Sequence, residues 1–325
     1  MSRIQSLLCA ALAALPLCAA VAAENAYPNR PIRIVDPFPP GGPSDIVNRA
    51  INPRLSEALG QSVVIDNRAG AGGIVGCELV ARATPDGYTL LLGPSGALTI
   101  QPTLNPNLRY DPQRDFAPVT QLTSGPQVIS VHPGVAAKSV QDLIALAKAK
   151  PGQLNYASGG TGTANHIAVE YFKLVTGINV VHLPYKGTGP ALTAVLAGEA
   201  QMIISALLAA LPHVKSGKLR ALAVTSTSRS TAAPEIPTAS ESGLPKFETS
   251  SWHGILVPAK TPRPIVAHLH STLVKVLNMP DVRERLTTQG LNVVASTPQE
   301  FDAHIKSETA KYARVIRHVG IKPES

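Results

Sequence analysis

Four short stretches rich in Gly, Ser and Thr are where this chain could do chemistry. They are Pro37-Phe38-Pro39-Pro40-Gly41-Gly42-Pro43-Ser44-Asp45, Gly93-Pro94-Ser95-Gly96, Ser158-Gly159-Gly160-Thr161-Gly162-Thr163 and Pro184-Tyr185-Lys186-Gly187. In the first, paired glycines let the main chain turn sharply. A helix opening at Pro43 or Ser44 then presents N–H groups that lack intrahelical acceptors. Such donors suit an anion, although a strand-to-helix turn that binds nothing would also carry one Gly-Gly pair. All four stretches donate hydrogen bonds and none supplies a strong nucleophile paired to a base. The pattern therefore favours holding an anionic ligand over transforming it.

The competing chemistries leave specific gaps. Gly160-Thr161-Gly162-Thr163-Ala164-Asn165 has Asn where a dinucleotide loop needs its third glycine, and the next strand ends at Pro184-Tyr185 without a ribose-binding acid. There is no Walker lysine. Gly93-Pro94-Ser95-Gly96-Ala97 resembles a nucleophile elbow, but Ala97 stands in place of the last glycine. A periplasmic serine hydrolase using Ser95 or Ser158 is kept as an alternative reading. The histidines show no metal-ligand spacing, and His268 and His270, one residue apart in a helical pattern, point in different directions and so into solvent. Neither a metal nor a cofactor is expected.

The elements that must position these loops alternate. From Pro31 onward, short β-branched runs are followed by helical patterns, as in a parallel sheet flanked by helices. The strand at 32–35 leads to a helix over 44–59 that Pro53 should kink, and further strands are expected at 63–65, 88–92, 154–157, 180–183, 202–204, 219–224 and 255–257. Because sites on such sheets lie beyond the carboxyl ends of the strands, the loops should share one side. The expected fold is α/β, with two doubly wound α/β domains and a ligand cleft between them. Residues 24–126 and 252–325 form a discontinuous first domain, 127–251 form the second, and two crossings act as a hinge.

Residues 1–23 read as a secretory signal peptide: a basic start at Arg3, an apolar run over 7–21 and a small-residue cleavage site at 20–23. The mature chain then begins at Ala23 or Glu24 and is periplasmic. A lipoprotein start at Cys18 is the lesser option because Leu17 is larger than a lipobox residue. Cys9 and Cys18 fall in the signal, so Cys77 has no partner for an intramolecular disulfide. The net charge of +8 comes from singly scattered Lys and Arg, with no basic run or aromatic-studded strand. It suits attraction of small anions and gives no indication of nucleic acid. Aromatic residues make up 4% of the chain, too few for the stacking platforms of a carbohydrate receptor.

With these loops assembled, the chain resembles the periplasmic solute receptors of tripartite tricarboxylate transporters, the Bug-type family, over nearly its whole mature length. The matching stretches include Pro40-Gly41-Gly42-Pro43-Ser44-Asp45, Asn67-Arg68-Ala69-Gly70-Ala71-Gly72-Gly73, Pro85-Asp86-Gly87-Tyr88, Ser158 through His166, Pro184-Tyr185-Lys186-Gly187 and Ser251-Trp252. The resemblance implies a flytrap of Venus type that closes on one carboxylate. The charged end would be held by main-chain groups and ordered waters between the loops 38–45 and 158–166. The implied ligand-binding residues are Phe38, Pro40, Gly41, Gly42, Ser44, Asp45, Ser95, Gly96, Ser158, Gly160, Thr161, Gly162, Thr163, His166, Tyr185, Ser205 and His253. Asp45 and His166 serve equally well as a helix cap and a packed core residue. Ala194 and Ser205, where acids are expected in many relatives, and His253 depart from the family pattern and bear on ligand choice. The implied role is that of a non-enzymatic, monomeric receptor handing a small carboxylate to membrane subunits of a transporter. A sensory receptor handing its bound form to a signalling partner is the alternative.

Overall fold

The computed structural model describes residues 27–321. The signal peptide expected at 1–23, with Cys9 and Cys18, lies outside the described residues. In chain order the elements are β1 (Ile32–Asp36), α1 (Pro43–Leu59), β2 (Val63–Asn67), α2 (Ile74–Ala81) and β3 (Thr89–Pro94). A π-helical turn (Gly96–Ile100) then runs directly into α3 (Gln101–Leu104). Next come β4 (Phe116–Val131), α4 (Val140–Ala149), β5 (Asn155–Ser158), α5 (Ala164–Thr176), β6 (Val181–Pro184), α6 (Thr188–Leu196), β7 (Met202–Ala206), α7 (Leu207–Lys215) and β8 (Arg220–Val224). The chain closes with β9 (Ser250–Pro258), α8 (Arg263–Leu277), α9 (Pro280–Thr287), β10 (Asn292–Val293) and α10 (Pro298–Val319).

The strands run in the order β2-β1-β3-β9-β4-β7-β5-β6, with β8 and β10 also paired to β4. β1, β2 and β3 are mutually parallel, as are β5, β6 and β7, while β4 and β9 are antiparallel to their neighbours. β4 is the shared element of two α/β lobes. It pairs with β9 from Phe116 to Pro126 and with β7 from Gln127 onward. Each lobe has apolar cores, Ile34, Ile51, Leu90 and Leu273 in one and Ile129, Tyr156, Phe172 and Ile204 in the other. A small cluster of Ile100, Leu104, Ile167, Tyr312 and Ile316 joins them.

The segments at 126–131 and around Trp252 are more regular than their composition suggests. Thr120, Gln121, Thr123 and Gln127 break the apolar pattern of β4 and all are buried; the Thr120 hydroxyl and the Gln121 and Gln127 main-chain N–H groups are paired, whereas Thr123 Oγ1 and Gln127 Oε1 have no protein partner. Thr120 Oγ1 donates to Ser296 O at 2.7 Å, and the Gln127 N–H donates to Thr225 Oγ1 at 2.9 Å. β9 begins at Ser250 rather than at Ile255, so both lobe crossings are paired strands. Helix α1 runs through Pro53 to a left-handed Gly60, which needs φ 63°. His268 packs edge-on to Tyr27, and His270 Nε2 lies 3.2 Å from Ser296 O, so neither imidazole is simply solvated. Cys77 is fully buried and is the only cysteine among the described residues; burial pushes its thiol up to about 12.

Candidate functional site

β1, β3, β5, β6 and β7 each hand on to a helix within a few residues, and those starts gather around one narrow cleft with a cavity volume of about 50 Å³. Pro43 and Ser44 of α1 and Pro94, Ser95 and Gly96 before α3 form one wall. Thr163, Ala164 and Asn165 of α5 and Thr188 of α6 form the other. Gln127, Ser251, His253 and Ala206 complete the lining from the crossing strands and β7, and Phe38 closes an edge. The first-turn N–H groups of α1, α5 and α6 have no intrahelical acceptors, and each helix end carries about half a positive charge. The lining has no Asp, Glu, Lys or Arg.

The loop after β1 is braced by carboxylates. Asp36 Oδ1 accepts from the Phe38 N–H at 3.1 Å and from Ser44 Oγ at 2.7 Å. Burial raises the Asp36 carboxyl to about 7, against the lowering effect of those bonds. Asp45 Oδ2 accepts from the Gly41 N–H at 2.9 Å and from Arg49 Nε at 2.7 Å. Burial alone would raise Asp45, but Arg49 and the Gly41 amide hold it below the usual carboxylate range. Asp45 therefore shapes its own loop, and the Gly41 N–H, consumed there, does not face a ligand. Gly41 sits at φ 82°, which favours glycine.

The loop after β5 rests on imidazoles. The Gly162 N–H donates to His166 Nδ1 at 3.2 Å, and His166 stacks on His182 with centroids 4.4 Å apart. Burial first, and the neighbouring His182 second, push His166 down to about 3, so it is neutral at physiological pH. Ser158 Oγ lies 2.6 Å from His182 Nε2 and accepts from the Gly160 N–H at 3.1 Å. The Ser158–His182 contact resembles an activated hydroxyl, but Ser158 is fully buried and does not line the cleft. Asn165 Oδ1 accepts from the Gly159 N–H at 3.3 Å, while its buried Nδ2 has no protein partner. Gln127 Oε1, His253 Nδ1 and Ser205 Oγ are likewise buried without partners. Burial pushes His253 down to about 4.

The two walls touch. Gln101 Nε2 donates to Thr161 O at 2.8 Å across the cleft. A methyl group at Gly96 would lie 3.0 Å from Ala164 N, and one at Gly187 would lie 2.8 Å from Pro39 Cδ. The lobes are closed on each other.

Of the residues expected from sequence, Phe38, Ser44, Ser95, Gly96, Thr163 and His253 line the cleft. Gly160, Thr161 and Tyr185 line an adjoining outer pocket with Phe38 and the exposed Lys186. Pro40 and Gly41, with Tyr185, border a groove beside α6. Gly42 caps α1, Ser158, Gly162 and His166 belong to the hydrogen-bonded support of the second loop, and Ser205 sits in β7 beside the cleft-lining Ala206. Sequence reasoning missed Gln127, Asn165, Thr188, Ala206, Ser251 and the supporting His182. Asn165 carried a usable signal as a polar amide in the first turn of α5. Gln127 and Ser251 carried none, because their placement depends on the pairing of β4 with β9 and β7.

A family model described as "Tripartite tricarboxylate transporter family receptor" matches residues 47–321. The chain belongs to this receptor family. The receptor is 38% identical to Protein BugT of Bordetella pertussis (strain Tohama I) over 323 residues, 99% of each chain. A solved R. palustris protein, with adipate, shares its fold at a TM-score of 0.90 and 35% identity, over 92% of the receptor and 100% of that chain. MatC from Rhodopseudomonas palustris, with bound malate, gives a TM-score of 0.86 at 32% identity, over 89% of the receptor and 100% of that chain. The receptor is accordingly a periplasmic solute-binding protein with two α/β lobes.

Proposed function

We propose that the receptor captures a small carboxylate in the cleft between its lobes and delivers it to membrane subunits of a tripartite tricarboxylate-type transporter, without covalent chemistry. The observation that carries this reading is the convergence of the α1, α5 and α6 first turns on a cleft whose lining holds no ionised side chain. The adipate and malate bound by two relatives support the same ligand class. In this reading the first-turn amides of α1 and α5 grip the charged end, with Ser95 as the hydroxyl donor, because the Ser44 and Thr163 hydroxyls are spent on Asp36 Oδ1 and Gly160 O. Lobe division at 126/127 and 251/252, a cleaved signal at 1–23 and a monomeric mature chain belong to the proposal.

Calorimetry of ligand-free protein against mono-, di- and aromatic carboxylates, with mass spectrometry of co-purified ligand, tests it; heat from none of the panel would overturn it. Gly42→Pro is the sharper probe of the first loop. Gly42 has φ −81°, within proline's range, and an added Cβ would meet only Pro39 O at 3.6 Å; the substitution removes the N–H. The variant is expected to keep its circular dichroism and melting temperature within a few degrees and to lose about tenfold or more in affinity, of the order expected for one hydrogen bond to a charged group.

A further inference from the structure

We propose that Asp36 is a proton-binding site coupled to the cleft, so that the receptor takes up a proton there as it captures its carboxylate. The inference rests on the carboxylate reading above and adds a proton to it.

The coupling runs through one hydroxyl. Ser44 lines the cleft in the first turn of α1, and its Oγ donates at 2.7 Å to Oδ1 of Asp36, which is fully buried and lies outside the lining. Ionised carboxylates only accept hydrogen bonds, and a serine has a single side-chain hydrogen to give. While Asp36 is ionised that hydrogen is spent on it, and Ser44 turns only lone pairs toward an incoming carboxylate. A proton taken from solvent changes the arrangement. The neutral Asp36 carboxyl can donate to Ser44 Oγ, and the Ser44 hydrogen is then free to swing to the ligand. Two carboxylates flanking one hydroxyl are satisfied together only when one of them is protonated.

The surroundings of Asp36 set it near the point of titration before ligand arrives. Its Oδ2 is buried without a protein partner, a poor setting for a charge-bearing oxygen. On α1, the Asp45 charge raises the carboxyl and that of Arg49 lowers it, but the Arg49 guanidinium is bonded to Asp45 Oδ2 at 2.7 Å. On β2, Asn67 stands in register with Asp36 and is neutral, while Asp66, paired with Arg33 and Arg68, alternates to the opposite face, the one that Cys77 of α2 covers with Val35. On β3 the register positions before it are Leu90 and Leu91, and α8 reaches this side with Leu269 and Leu273. Burial is the largest effect and raises the carboxyl to about 7. An anion held across Ser44 adds a like charge and raises it further, so proton and carboxylate each strengthen the binding of the other.

Calorimetry with acetate, succinate, malate, adipate and benzoate, each run in HEPES and in Tris near neutral pH, counts the protons, because the two buffers differ in ionisation enthalpy. The acid that binds most tightly is expected to bring about half a proton with it at pH 7.5, and to bind about fivefold or more weaker at pH 9 than at pH 6.5, the size set by a one-unit rise of the Asp36 carboxyl on binding. Asp36→Asn, which does not titrate, is expected to show no uptake and a flat affinity over the same range. Buffer-independent heats from the parent protein, a measurement that needs no variant to fold, overturn the inference while leaving the carboxylate reading intact. Uptake undiminished in a folded Asp36→Asn protein places the proton elsewhere and overturns it as well. Silence from every acid overturns the carboxylate reading, and the inference falls with it.

Discussion

Asp36 shows what a single buried group contributes. Its carboxyl is held at about 7 in the folded chain, against 3.8 ordinarily, chiefly by burial. Between those values the native state keeps a proton that the unfolded chain releases. The associated stability is present below pH 4 and lost as the pH rises through 7, at about 1.4 kcal/mol per unit. Asp36→Asn keeps an acceptor for Ser44 and for the Phe38 amide but does not titrate. Relative to the parent, the variant should gain roughly 2–4 kcal/mol between pH 4 and pH 8 in urea unfolding; no difference in pH dependence would refute this placement of the proton. Asp45 was visible in the sequence as a cap or a ligand contact; its Oδ2 bonds to Gly41 and Arg49 make it a brace of its own loop, while Oδ1 is buried without a protein partner. Gln127 was invisible because nothing local marks a strand residue as lining a site formed by partners about 80 and 125 positions away.

At the level of elements, the parallel strands and the helices after them were readable because their hydrophobic periods are clean and their loops carry Gly, Ser and Thr at the strand ends. α10 was marked by Thr297 and Glu300, whose reciprocal capping bonds are present. β4 was only partly legible. Its central residues are polar, and their burial depends on contacts from Ser296 and Thr225, distant in sequence. The loops themselves act as two faces of a latch. Gly96 has a helical backbone that any residue can adopt, and a side chain there meets the main chain of Gly162, Thr163 and Ala164 on the opposite lobe. Gly96→Ala should leave the ligand-free melting temperature unchanged within a few degrees while weakening ligand affinity on the order of tenfold, because overpacking is felt only on closure. Equal affinities by calorimetry would show that the lobes close differently.

For the whole molecule, the two lobe crossings are adjacent antiparallel strands, so relative lobe motion must twist β4 and β9 instead of bending slack linkers. Ligand that binds only the closed native form should raise stability by about 2.7 kcal/mol at a hundredfold excess over Kd. X-ray scattering should show a smaller radius of gyration on addition of the same ligand, and an unchanged radius would argue against lobe motion. One further property follows from Cys77, the lone thiol of residues 27–321, sealed in the core with its proton tightly held. Thiol-reactive dyes need thiolate and access, so native protein should resist maleimide at neutral pH. A cysteine introduced on the exposed rim, at Lys186 for instance, would then take a fluorophore at one defined place. The transport component thereby becomes an optical sensor for its own solute.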